Sequence, residues 1–128
     1  MERKRILVVD DEEPFVRFVK TALEKTGVYE VCAETVAGQA LETARTFRPN
    51  FIFMDVAMPG LDGGDVVAQI RAIPALKGVP VVFLTGTASK NEVGEQGGMI
   101  GGREFLAKPV TVMDLITTVA RHIGPGSA

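Results

Sequence analysis

The chain has 128 residues, 46% hydrophobic and 23% charged, which suits one domain with a real core and excludes a disordered tail. A net charge of −2 gives no general attraction for nucleic acid, and no apolar run approaches the ~20 residues of a membrane span. Cys32 is the one cysteine, so there is no internal disulfide; without a signal-peptide core, the cytoplasm is the natural compartment.

Arg3-Lys4-Arg5 reads as a solvated N-terminus. Ile6–Val9 follows, a short apolar run with β-branched residues, which predicts a buried strand. Phe15, Phe18, Val19, Ala22 and Leu23 keep helical spacing, with Pro14 suited to the first turn and Gly27 to the stop. Tyr29–Glu34 alternates like a strand and includes Cys32 as a small core residue. Ala37, Ala40, Leu41, Ala44 and Phe47 predict a second helix, closed by Pro49. Phe51–Met54 is the next strand, ended by Asp55 and a turn around Pro59-Gly60.

Val66, Val67, Ile70 and Ile73 predict a third helix with Asp62 as N-cap, and Val81–Leu84 a fourth strand. A fourth helix belongs next. The stretch from Ser89 to Gly102 carries Gly94, Gly97, Gly98, Gly101 and Gly102, each costing about 1 kcal/mol against alanine in a helix interior. A short, frayed or displaced helix is expected there. Arg103–Leu106 is a weaker strand, and Val112, Leu115, Ile116, Val119 and Ile123 mark a last amphipathic helix capped by Thr111. The domain is expected to span 1–124, with 125–128 as a tail or linker stub.

Strands alternating with helices imply a parallel sheet with helices on both faces, and continuous apolar strands imply burial on both sides. In such sheets ligands bind beyond the carboxyl ends of the strands. Those ends supply Asp10-Asp11, Asp55, Thr85-Gly86 and Lys108-Pro109. Each has a plain structural reading, Asp10-Asp11 as helix-start charge among them. Together, three carboxylates would repel one another unless a cation intervenes, and Mg²⁺ is bound by oxygens of this kind. A carboxylate can also be a nucleophile that forms an acyl-phosphate, with a metal and a lysine neutralising the phosphoryl oxygens and a threonine hydroxyl binding them.

The set "ILVVDDEE", "FMDVAMPGLDG", "VVFLTGTAS" and "EFLAKP" resembles the receiver domain of two-component response regulators, from about Lys4 to Ile123. The resemblance implies the flavodoxin-like (βα)5 sandwich of the single-domain chemotaxis regulator, with five parallel strands in the order 2-1-3-4-5. It implies Asp55 as phosphoacceptor from a histidine kinase or phosphotransfer protein. It implies Mg²⁺ held by Asp11 directly, by Asp10 through water, by Asp55 and by the backbone carbonyl of Ala57. Lys108 would pair with the phosphoryl oxygens, Thr85 would be the switch hydroxyl, and Phe105 the aromatic that turns inward. A cis peptide before Pro109 would aim Lys108.

In the family, the face of fourth helix, fifth strand and last helix commonly binds a downstream partner or a fused output domain, and phosphorylation-dependent dimers are compatible with it. Here that face includes the glycine-rich residues 90–102, read as a mobile segment that phosphorylation or a partner orders. The resemblance places Ala57 and Thr87 at positions that tune acyl-phosphate hydrolysis in the family. Nothing after Ile123 has the length of a DNA-reading helix pair. His122 reads as a surface cation near a helix C-terminus. The chain is expected to catalyse only its own phosphorylation and dephosphorylation. Two rival readings are a Mg²⁺-dependent phosphatase with an aspartyl nucleophile and a receiver-like binding module that is not phosphorylated. The first lacks an acid at Ala57, where such enzymes carry one; the complete acidic set weighs against the second.

Overall fold

The apolar runs of the sequence become the middle of a sheet in the computed structural model, which describes residues 3–86, 98–100 and 103–124. The elements are β1 (Lys4–Val9), α1 (Glu13–Glu24), β2 (Tyr29–Glu34), α2 (Ala40–Phe47), β3 (Phe51–Asp55), β4 (Ala57–Met58), β5 (Leu61–Asp62), α3 (Gly63–Arg71), β6 (Val81–Thr85), β7 (Gly98–Ile100), β8 (Arg103–Ala107) and α4 (Val112–Ile123). Five strands run parallel in the order β2-β1-β3-β6-β8, the flavodoxin-like order.

Alternate residues of the central strands face two cores. Ile6, Val8, Phe51, Phe53, Val82 and Leu84 pack with Val19 and Leu23 of α1 and Leu115 and Val119 of α4. Leu7, Val9, Ile52, Met54 and Phe83 pack with Ala40 and Ala44 of α2 and Val66, Val67 and Ile70 of α3. This two-sided burial is why these strands read as unbroken apolar runs.

The helix starts follow local chemistry. Thr111 and Asp114 form a reciprocal capping box on α4, and Asp62 accepts a hydrogen bond from the Gly64 N–H at 2.7 Å. Pro14 occupies the first turn of α1. Arg5 departs from its reading as a solvated residue: it lies in β1, and its Nε donates to the carbonyls of Phe47 (3.0 Å) and Arg48 (2.8 Å), capping the end of α2. Cys32 is half-buried against the second core rather than enclosed in it, and burial, followed by the Glu34 charge, pushes its thiol pKa up.

Three features were not visible as periodicity. Short 3₁₀ turns at Ala37–Gln39 and Pro74–Leu76 precede α2 and follow α3. The turn after Asp55 is a miniature antiparallel hairpin, β4–β5, with Gly60 at φ 76°. A sixth strand, β7, pairs antiparallel with β8 in the register Gly98↔Phe105, Met99↔Glu104, Ile100↔Arg103. Gly98 therefore belongs to a strand rather than to the expected helical segment. The rest of the expected fourth helix, Thr87 and the 125–128 tail lie outside the described residues.

Candidate functional site

The sheet register builds the site. Val9 is opposite Met54, so Asp10 and Asp55, each the next residue, arrive at one level of the carboxyl edge. Asp55 is opposite Leu84, and Thr85 is opposite Ala107, which brings Thr85 and Lys108 to the same edge. Ladder-like bonds extend past the strand ends: Asp10 N–H to the Glu34 carbonyl (3.1 Å), Val56 N–H to Leu84 (3.0 Å) and Lys108 N–H to Thr85 (2.8 Å). These bonds fix the backbone that carries each functional side chain.

Asp10 is fully buried, Asp55 is 7% exposed, and Asp11 is exposed. One carboxylate oxygen from each can be chosen so that all three lie within 4.8 Å of one another. Asp10 Oδ1 accepts the Glu12 N–H at 2.9 Å. Asp10 Oδ2 has the Lys108 ammonium at 2.6 Å as an ion-pair partner, yet no donor in hydrogen-bond alignment. A buried carboxylate oxygen without an aligned donor is costly, and a set of converging oxygens suits a hard divalent cation. The residues therefore fit such an ion.

Lys108 follows β8 at a cis Lys108–Pro109 peptide. Its Nζ lies 2.6 Å from Glu12 Oε1 and 4.5 Å from the centroid of the Phe15 ring. Burial alone would lower its pKa. Close contact with the Asp10 and Glu12 carboxylates and the charges of Asp10 and Asp55 outweigh that and hold it above the ordinary lysine value. Asp11, Glu12, Asp55, Val56, Thr85, Gly86 and Lys108 line one cleft of 310 Å³. A groove of 470 Å³ beside Cys32 and Phe47 lies away from the acidic cluster, while one of 610 Å³ lined by Phe15, Phe18 and Lys108 adjoins it.

Asp10, Asp11, Asp55, Thr85 and Lys108 thus share one edge. Ala57 opens β4 two residues beyond Asp55. Phe105 is outside the cleft lining; it is half-buried, its ring 5.5 Å from that of Phe83. His122 is not a plain surface cation: it packs on the Phe51 ring at 5.4 Å and donates to Glu104 at 2.7 Å.

Sequence reasoning missed three residues. Glu12 was legible only as a further acid in "DDEE", and Phe15 only as a helix-face residue. Gly63 follows the Asp62 cap and donates its N–H to the Val56 carbonyl at 2.9 Å. Its spacing gave no sign that it touches Asp55.

This edge of acids, hydroxyl and ammonium on a 2-1-3-4-5 sheet belongs to one class of signalling protein. The profile of the response regulator receiver domain matches residues 6–120, and the chain belongs to that family, the receivers of two-component signalling. It is similar to the polar-differentiation response regulator DivK of Brucella anthropi, with 30% identity over 94% of this chain and 97% of that one. It is also similar to protein PilG of Pseudomonas aeruginosa, with 31% identity over 93% of this chain and 87% of that one. Among solved structures, the chemotaxis protein CheY4 of Vibrio cholerae superposes with a TM-score of 0.79 at 29% identity, covering 94% of this chain and 99% of that one.

Proposed function

We propose that this receiver accepts a phosphoryl group on Asp55 from a histidine kinase or phosphotransfer protein and thereby controls a partner. The observation that carries this is the meeting of Asp10, Asp11 and Asp55 within 4.8 Å, beside Lys108 and in a cleft that Thr85 also lines, in a chain of the receiver family. A carboxylate oxygen of Asp55 attacks the phosphorus of a phosphohistidine, forming an O–P bond as the P–N bond breaks. The electron pair stays on the imidazole nitrogen, which takes a proton from solvent. Later, a water oxygen attacks the same phosphorus; the bond to Asp55 breaks, and its carboxylate and inorganic phosphate are released.

Asp10, Asp11, Asp55 and the Ala57 carbonyl would hold Mg²⁺, which when bound neutralises phosphoryl oxygens. Lys108 supplies a second positive charge, and the Thr85 hydroxyl donates to a phosphoryl oxygen. Phe105, half-buried against Phe83, is the aromatic whose packing reports the state. The residue two beyond the nucleophile is Ala57, which has no acid to protonate an alcohol leaving group; this favours an acceptor over a phosphomonoesterase. The output surface is the β8–α4 face with the segment before it, where Met113 is 68% exposed and Val112 is also exposed. Among the described residues no helix is long and apolar enough to cross a membrane.

Intact mass after incubation with Mg²⁺ and acetyl phosphate tests the reading. One phosphoryl adduct is expected in the wild type and none in Asp55→Asn or without metal. An adduct that survives Asp55→Asn would overturn the assignment.

A further inference from the structure

We propose that Glu12 is a clasp on Lys108, holding its ammonium against Asp10 on the α1 side of the cleft until a phosphoryl group on Asp55 draws it away. The inference rests on the reading of Asp55 as acceptor. Glu12 is a positioning residue in this scheme, acting through Lys108.

Glu12 Oε1 and Asp10 Oδ2 each lie 2.6 Å from the same Nζ, and the Phe15 ring covers another side at 4.5 Å. All three groups come from the end of β1 and the start of α1. With two carboxylate oxygens and a ring already against it, the ammonium is turned toward these groups rather than toward a group arriving at Asp55. Glu12 is placed for this work by the acid pocket itself, because its backbone N–H donates to Asp10 Oδ1. It is the N-cap residue of α1, but its side chain makes no capping bond there. Its carboxylate is therefore available to Lys108, 96 residues along the chain.

The two acids differ in grip. Asp10 is fully buried, so its attraction for Lys108 is little screened, whereas the Glu12 side chain is 62% exposed. An exposed ion pair changes an equilibrium by up to about fivefold, a scale at which the incoming charge of a phosphoryl group can displace it. Glu12 thus sets how readily Lys108 swings to the acceptor without fixing it there.

The experiment compares wild type with Glu12→Gln, which keeps the shape and removes the charge. The initial rate of adduct formation with acetyl phosphate and Mg²⁺ is expected to rise about two- to fivefold. In a Lys108→Met background the same substitution is expected to change nothing. An equal rise in both backgrounds would show a through-space charge effect and overturn the clasp. A second readout needs neither metal nor phosphate: proton exchange at the Lys108 ammonium, seen by ¹⁵N–¹H spectra, is expected to quicken in Glu12→Gln. Unchanged exchange would overturn the clasp. A wild-type adduct whose rate Glu12→Gln leaves unaltered would overturn the clasp alone. Wild-type protein that takes up no phosphoryl group would overturn the acceptor reading and the clasp with it.

Discussion

Gly63 lies against the backbone of Asp55: a Cβ added at Gly63 would stand 2.1 Å from the Asp55 carbonyl oxygen and 3.1 Å from the carbonyl carbon. The contact closes the β4–β5 hairpin onto the end of β3 and so holds the acid at its level. The obstructing atom is backbone, which cannot rotate aside as a long side chain would. Gly63→Ala should therefore lower stability by about 1–3 kcal/mol, the usual range for overpacking. It should also slow adduct formation at Asp55. Urea unfolding and intact mass measure the two effects, and a variant as stable as wild type would remove the contact from the account.

Three clustered carboxylates should make the metal-free protein less stable than the metal-bound one. Mg²⁺ at ten times its dissociation constant should add about 1.4 kcal/mol to the unfolding free energy. Asp11→Asn should remove most of that gain, because Asp11 is the exposed member of the set and carries little core packing. Urea titrations with and without Mg²⁺ at matched ionic strength decide it. Equal stabilisation of wild type and variant would mean that the ion binds elsewhere.

Glu104 ties β8 to the last turn of α4, accepting hydrogen bonds from Arg121 and His122. Burial alone would raise its carboxyl pKa, but these two partners outweigh burial and hold it below the ordinary value. A depressed folded-state pKa contributes stability that is present above the unfolded value of about 4.3 and is lost as pH falls through the lower folded one. Glu104→Gln should cost about 1 kcal/mol at pH 7, since Arg121 is half-exposed and the pair is partly screened. The two stability curves should converge below about pH 4. A constant gap down to pH 2 would mean that packing, not charge, links the helix to the strand.

Local patterns carried much of the architecture. Strands buried on both faces must be apolar throughout, so Ile6–Val9, Phe51–Met54 and Val81–Leu84 are legible without coordinates. Helix caps are equally local: Thr111 with Asp114 and Asp62 with Gly64 act over two or three residues. The two-residue strands β4 and β5 escaped because no period can show in so short a run. Strand β7 escaped because the glycines of that stretch of sequence say only that a helix is unfavourable, not that β8 offers an open edge.

The sequence by itself determined the alternation of strand and helix, and with it the placement of Asp10, Asp11, Asp55, Thr85 and Lys108 at strand ends, because each of these is a matter of neighbours along the chain. Only the tertiary structure decided which atoms meet. The β1–β3 register levels Asp10 with Asp55, the close backbone approach at Gly63 seats the acid, and the junction of β1 and α1 delivers Glu12 to Lys108. These pairings join residues far apart in sequence, and their energies depend on burial and distance, which no local pattern encodes.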